Sequence, residues 1–193
     1  MNYIQTFIHQ GNYDRAIQLL DSICPKVICK DRCNEIYLEA NVYLGKFETA
    51  EQYIDPWNSK DTTWIRHVWA FNPKYGYVYD KLGQRKKSEE AIHIAIINNE
   101  FWSKRNKFLS YPDYNLAAIY AFQNKKEKAY AAIEMINKKR LSIDEFDQMK
   151  KDPMFENLRN DPKFKEIIKQ AEERKSIVSE QIRELEEIHQ LNF

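Results

Sequence analysis

The chain carries few side chains of the kinds that perform covalent chemistry, and their spacing argues against a catalytic centre. Its four histidines, His9, His67, His93 and His189, are scattered, and none belongs to an H-E-x-x-H or comparable ligand pattern. His93 precedes Ile97 by one helical turn and is interpreted as a structural histidine. A Gly-rich phosphate loop and a G-x-S-x-G nucleophile motif are also missing. The sequence therefore predicts a protein that is not an enzyme and uses no cofactor.

Three cysteines, Cys24, Cys29 and Cys33, lie close together in the first fifth of the chain. An odd number in one cluster fits reduced thiols in a cytoplasm better than a disulfide framework. A metal site is the alternative, but the cluster has no C-x-x-C pair and no histidine near it. We therefore predict reduced thiols, no bound metal and a cytoplasmic location.

One segment is unusually aromatic. Three of the four tryptophans fall between Pro56 and Pro73, and a candidate pocket there comprises Trp57, Trp64, His67 and Trp69. Such density could line a small-molecule site or an enzyme pocket. The alternative, which we prefer, is a large aromatic filler between irregular repeats, with a loop to Lys60 and a helix from Thr62 to Phe71.

Composition narrows the class of protein. Apolar residues make up 43% and charged residues 31% of the 193 residues, with only four Gly and six Pro, which is typical of a helical globular protein. The net charge of +1 argues against a general nucleic-acid binder. No apolar run is long enough to span a membrane, and the N-terminus lacks the pattern of a signal peptide.

The elements that must position any site follow from a repeated phrase. Gly11-Asn12-Tyr13-Asp14-Arg15-Ala16 is matched by Gly45-Lys46-Phe47-Glu48-Thr49-Ala50, and every matching position is 34 residues away. A period of that length predicts stacked helical hairpins. Gly ends the first helix in a left-handed conformation, and Ala allows the two helices to touch.

This G-x-[YF]-x-x-A phrase resembles the turn of the tetratricopeptide repeat family. The resemblance implies an all-α fold, an α-solenoid of helical hairpins that binds other proteins. A further hairpin is predicted at Tyr75 to Leu82, with Gly83 eight residues before Ala91 and an inserted turn over residues 84–87 between them. Residues 102–109 are predicted to form a connection with some helix. The most regular repeat follows at Tyr111, with Asn124 in the Gly position because Asn tolerates the left-handed conformation.

The C-terminal part carries two DP-x-F phrases, beginning at Asp152 and at Asp161. In each, Asp is expected to cap a helix whose first turn contains Pro, and Phe enters the core. The segment resembles the closing segment of tetratricopeptide modules in multidomain bacterial regulators and enzymes. We therefore divide the chain into a repeat domain, 1–161, irregular between 56 and 110, and a long capping helix, 162–193. A heptad pattern continues beyond Ser176, so a homodimeric coiled coil is a hypothesis.

The resemblance also implies where a partner binds, since first helices of stacked hairpins line a concave groove. The groove positions in this chain are Glu35, Glu39, Tyr43, Tyr114, Asn115, Ala118 and Phe122. The Lys/Asn/Arg set that holds a terminal carboxylate in some family members is absent, because Glu35 and Glu39 occupy positions where donors are needed. An acidic, aromatic groove favours a basic or apolar peptide or helix from an unidentified protein.

Two alternative functions remain open. The short first helix and the closing segment are also compatible with the C-terminal regulatory module of a larger bacterial signalling protein or enzyme. The third hypothesis is an enzyme or small-molecule binder that uses the Trp-rich segment.

Overall fold

A computed structural model describes residues 2–24, 30–54, 71–105, 110–138 and 143–190 of the chain. These ranges contain helices and turns without a strand, so the predicted all-α class is confirmed over them. The α-helices are α1 (Asn2–Gln10), α2 (Tyr13–Ile23), α3 (Lys30–Tyr43), α4 (Phe47–Glu51), α5 (Lys74–Lys81), α6 (Arg85–Arg105), α7 (Tyr111–Phe122), α8 (Lys126–Lys138), α9 (Ile143–Lys151) and α10 (Pro162–Gln190). A 3-10 helix, Pro153–Leu158, lies between α9 and α10.

Helices α1 to α8 pair into hairpins whose turns share one backbone geometry. Gly11, Gly45, Gly83 and Asn124 all have positive φ angles, of 84°, 70°, 71° and 56°. In each turn this residue donates a hydrogen bond to the carbonyl three positions back, and the next residue donates to the carbonyl five positions back. That arrangement is the Schellman motif, which satisfies the last carbonyls of a helix. The predicted role of these four residues is confirmed.

The third hairpin differs from the prediction in its second helix. No inserted turn separates Gly83 from α6, which begins at Arg85. Five residues after Gly83, where the other hairpins have Ala, the chain has Ser88, which is buried and donates a hydrogen bond to the Gly76 carbonyl at 2.8 Å. The prediction required alanine at this position. Serine also fits the close crossing, because it is small and its hydroxyl is hydrogen-bonded to the backbone of the facing helix.

The helix expected within the connection at residues 102–109 is the end of α6, which runs unbroken to Arg105. The predicted helix from Thr62 to Phe71 falls mainly outside the described residues.

The segment after α8 packs back along the row of first helices, α1, α3, α5 and α7, which we call the inner face. Helix α9 contacts α1, and the 3-10 helix packs along α7. Asp152 caps the 3-10 helix by accepting a hydrogen bond from the Met154 amide at 2.9 Å, and Asp161 does the same for Lys163 at 3.0 Å. Phe155 and Phe164 are buried, so both predicted DP-x-F roles are confirmed, although the first phrase begins a 3-10 helix.

The Cys24 and Cys33 sulfurs form a disulfide, which contradicts the predicted reduced thiols. The bond joins the end of α2 to the first turns of α3, with a Cα to Cα distance of 6.2 Å. Cysteine spacing did not reveal this pair, because only the packing of the first hairpin on the second brings the two residues together. Cys29 lies outside the described residues.

Over the described ranges, no helix combines the length and the hydrophobicity needed to cross a membrane.

Candidate functional site

The site is built around a buried lysine, Lys74, in the first turn of α5. Its side chain is 8% exposed, and its ammonium lies 3.1 Å from the Asp152 Oδ2 atom and 3.5 Å from the Glu39 Oε1 atom. The same nitrogen is 5.6 Å from the centre of the Tyr43 ring. Lys74 therefore joins α3 and α5 of the inner face to the segment that follows α9.

Asp152 uses both carboxylate oxygens in this arrangement. It is fully buried, and its Oδ1 atom caps the 3-10 helix while its Oδ2 atom also accepts a hydrogen bond from the Tyr114 hydroxyl at 2.9 Å. Arg159 donates to the Asp152 carbonyl at 3.0 Å. A buried carboxylate costs free energy unless it is paired and hydrogen-bonded, and here both conditions are met.

The electrostatics keep Lys74 charged. Burial alone would lower its pKa, but Asp152, then Tyr43 and Glu39, outweigh burial and hold the pKa of Lys74 well above its usual range. Burial and the Asp152 carboxylate likewise hold the pKa of Tyr114 well above its usual range. Tyr114 therefore stays protonated and donates its hydrogen bond. A neutral lysine nucleophile is not available in this arrangement.

Four side chains lie around Lys74, namely Glu35, Glu39, Tyr43 and Tyr111, and we call them the acidic mouth. Glu35 is exposed, Glu39 and Tyr43 are half-buried, and Tyr111 is 43% exposed. Tyr111 interacts electrostatically with Lys74 and with both glutamates, so the four side chains share one area. Tyr13 stacks on Tyr43 with ring centres 4.8 Å apart, which holds the Tyr43 ring in place.

The predicted groove residues separate into two groups. Glu35, Glu39 and Tyr43 lie at the acidic mouth. Tyr114, Asn115 and Ala118 are buried, and Asn115 donates to the Asn99 side-chain oxygen at 3.0 Å within the core. Phe122 is half-buried and packs edge-on against Tyr77, 5.4 Å away.

The chain's own closing segment contacts two members of that second group, Tyr114 and Phe122. Asn157, in the 3-10 helix, donates to the carbonyls of Ala121 and Phe122 at 3.2 Å each. Met154, Phe155 and Leu158 are at most 1% exposed against the inner face. Burying three such side chains stabilises the fold by about 6 kcal/mol. A partner peptide would have to replace all of these contacts to occupy this part of the groove.

Sequence reasoning missed Lys74, Tyr111 and Asp152 as site residues. A signal for Lys74 existed, because a lysine directly after Pro73 at a helix start opposes the helix dipole and needs a compensating partner. Asp152 was interpreted only as a cap, and its second oxygen could be assigned only from the packed structure.

The sequence also named candidate residues outside the predicted groove. Trp57, Trp64, His67 and Trp69 lie outside the described residues. His93, interpreted as structural, is exposed on α6. Across the described ranges, no cluster of His, Cys, Asp and Glu side chains has the arrangement needed to hold a metal ion.

A cleft of about 530 Å³ lies beside the turns of the third and fourth hairpins. It is lined by Asp80, Gly83, Arg85, Ser88, Glu89, Ile92, Phe122 and Gln123. Arg85 forms an ion pair with Glu89 at 3.0 Å, and the Ser88 hydroxyl donates its hydrogen bond to the Gly76 carbonyl. The cleft therefore offers a surface with paired charges and no activated nucleophile among these lining residues.

The chain was compared with protein-family models, with curated proteins and with solved structures. None of them matches.

Proposed function

We propose that the chain is a non-catalytic interaction scaffold of tetratricopeptide-like hairpins that binds a basic segment of another protein at the acidic mouth. The observation that carries the proposal is an acidic and aromatic surface. Glu35 and Tyr111 are both exposed, and Tyr111 interacts electrostatically with Glu35 and Glu39. An acidic surface attracts ligands of opposite charge.

The mouth suits an arginine or lysine side chain of the partner. Its cationic head can approach the carboxylates of Glu35 and Glu39, which favours a charge-assisted hydrogen bond. Its aliphatic stem or guanidinium plane can lie on the exposed part of the Tyr111 ring. An acidic peptide would meet repulsion at the same place.

The acidic mouth is also a more suitable binding surface than the remainder of the inner face. That remainder is filled by the 3-10 helix and by Met154, Phe155 and Leu158. The partner is therefore expected at the α3 side of the inner face, where Tyr114 holds Asp152 by a hydrogen bond.

The test uses charge reversal at Glu35. Glu35→Lys changes an exposed side chain, whereas a lysine at position 39 would stand beside Lys74 and disturb the buried pair. Fluorescence anisotropy with labelled oligolysine, oligoarginine and oligoglutamate measures binding. We expect the two basic peptides to bind and Glu35→Lys to weaken them about tenfold, which corresponds to about 1.4 kcal/mol.

The matched control is Glu127→Lys, which makes the same charge change at an exposed position on α8. We expect it to leave the affinity for the basic peptides within about twofold, allowing for the long-range screening of exposed charges. An equal loss in both variants would show general electrostatic attraction and remove the acidic mouth as the site. Binding of oligoglutamate with similar affinity would also contradict the proposal.

A further inference from the structure

The disulfide between Cys24 and Cys33 connects helices that share a small core of their own. The first hairpin, α1 and α2, packs there against the face of α3 that carries Cys33. The buried members of this small core are Ile4, Ile8, Ala16, Leu20, Cys33, Ile36 and Ala40. The buried hydrophobic side chains of α5 to α8 belong to the separate main core. The first hairpin therefore contributes its buried side chains to the small core and not to the main one.

Helix α3 is anchored from its other side. Leu38 and Val42 are buried in the main core, and Glu39 pairs with Lys74 of α5. Parts of a protein that share few buried contacts with the remainder can open as separate cooperative units. Helix α3 can therefore keep its position when the first hairpin moves away from it.

Two further contacts between the first hairpin and α3 lie near the surface. The Tyr13 ring stacks on Tyr43, and the Tyr37 hydroxyl donates to the Asp21 Oδ1 atom at 2.7 Å in an exposed hydrogen bond. The disulfide adds a covalent link across a sequence separation of nine residues. Closing a loop of that size shifts an opening equilibrium by about a hundredfold.

The two halves of the disulfide differ in their access to solvent. Cys33 is 2% exposed in the small core, whereas Cys24 is half-buried at the end of α2. Thiol–disulfide exchange requires a thiolate to reach one of the two sulfurs. Cys24 is therefore the residue that an attacking thiolate reaches.

We propose that the Cys24–Cys33 disulfide is a redox switch, whose reduction by a dithiol releases the first hairpin from α3 while the main core stays folded. A thiolate of the reductant attacks the Cys24 sulfur, forms a mixed disulfide and expels Cys33 as a thiolate, which takes up a proton. The second sulfur of the reductant then displaces Cys24 as a thiol and closes the reductant's own disulfide. The two electrons and two protons that the reductant loses end on the two cysteines.

Release exposes the backbone of the first hairpin. Helices α1 and α2 contain nine and eleven residues, which is too short for an isolated helix to be stable in water. Their amide hydrogens therefore lose protection when the hairpin leaves α3, and Tyr13 leaves the Tyr43 ring. This inference does not depend on a partner at the acidic mouth.

Hydrogen exchange measured by mass spectrometry on the full chain tests the switch. Cys29→Ser leaves Cys24 and Cys33 as the two cysteines of the sequence, so alkylation should find no thiol before dithiothreitol is added and two afterwards. We expect reduction to speed the exchange of α1 and α2 amides by about a hundredfold and to leave α7 and α8 unchanged. Reoxidation with oxidised glutathione should restore the slow exchange.

The matched control adds Cys24→Ser to Cys29→Ser. This chain cannot form the bond, and serine at the half-buried position leaves the small core intact. We expect fast exchange in α1 and α2 both with and without dithiothreitol. The proposal would be overturned by free thiols before reduction, by a bond that dithiothreitol cannot reduce in the folded chain, or by unchanged exchange in α1 and α2 after reduction. Equal acceleration in α7 and α8 would also overturn it, because the whole fold would then depend on the bond.

Discussion

At the scale of single residues, Lys74 joins α3 and α5 to the segment that follows α9. Its ammonium pairs with Asp152 and Glu39, and Asp152 in turn holds Tyr114. Buried ion pairs are weak evidence for net stability, because desolvation offsets much of their attraction. They do make the folded arrangement sensitive to the loss of either partner.

Removal of one partner of the buried pair is expected to be costly. Lys74→Met leaves Asp152 buried without its cation and should reduce the free energy of unfolding by about 3–5 kcal/mol. Lys74→Met combined with Asp152→Asn should lose less than the sum of the single changes, because the uncompensated charge is gone. Urea denaturation of the four proteins in this cycle measures the coupling.

The control for this cycle is an exposed pair of the same type. Lys46 and Asp14 are 3.7 Å apart with side chains 53% and 75% exposed, so Lys46→Met should change stability by less than about 1 kcal/mol.

The dependence of stability on alkaline pH gives a second test of the Lys74 ion pair. Because the pKa of Lys74 is raised by folding, its stabilisation is complete below the unfolded lysine pKa of about 10.4 and is lost as the pH rises through the folded value. The stability gap between wild type and Lys74→Met should therefore be constant near neutrality and narrow only above that pH.

At the scale of elements, the hairpins combine identical turns with different helix crossings. All four turns need a left-handed residue, but only the third hairpin has a glycine, Gly76, at the place where its helices cross. A Cβ atom at Gly76 would lie 2.5 Å from the Ile92 Cγ1 atom and 3.2 Å from the Ser88 carbonyl oxygen. The helices of the third hairpin therefore pack closely at Gly76, whereas Gly11, Gly45 and Gly83 serve backbone conformation.

Alanine at the two kinds of glycine should destabilise for different reasons. Gly76→Ala is expected to cost about 1–3 kcal/mol through overpacking against Ile92. Gly83→Ala is expected to cost about 1–2 kcal/mol through its φ of +71°, although no atom lies within 4 Å of an added Cβ. Adding Ile92→Val should relieve part of the Gly76→Ala loss and none of the Gly83→Ala loss. Thermal unfolding of the double variants decides between the two causes, and equal coupling in both would refute the distinction.

At the scale of the whole molecule, the chain covers its own inner face and leaves one helix projecting. The segment 143–158 contributes Phe146, Met149, Met154, Phe155 and Leu158 to the main core. Residues 177–187 contribute no buried side chain. The binding surface proposed for the inner face is the acidic mouth, and residues 177–187 of α10 lie outside the core.

Truncation should separate these two parts. A chain that ends at Lys175 keeps the buried half of α10 and its ion pair with Asp147, so its melting temperature should fall by no more than about 4 °C. Phe155→Ala, by contrast, removes a fully buried ring and should cost about 3–5 kcal/mol. Calorimetry measures both variants. Cooperative unfolding of the truncated chain far below the wild-type temperature would show that residues 176–190 belong to the fold.

The sequence by itself determined the local elements. The left-handed conformations of Gly11, Gly45, Gly83 and Asn124, the caps at Asp152 and Asp161 and the length of α10 all follow from short-range preferences within a few residues. The same local reasoning failed where two residue types serve equally well, as with Ser88 in place of alanine. The positions Glu35, Glu39 and Tyr43 were implied by the resemblance to the tetratricopeptide family, and their spacing of four residues places them on one face of α3.

Only the tertiary structure determined which residues pack against those helix faces. The pairing of Lys74 with Asp152 spans 78 positions of sequence, and the disulfide of Cys24 with Cys33 crosses between two hairpins. Neither contact has a local signature, because the free energy that forms it comes from packing one helix against another. For the same reason, the sequence could list Tyr114 and Asn115 as groove residues but could not show that Tyr114 contacts Asp152 and Phe155 of the closing segment, or that Asn115 bonds Asn99 of α6.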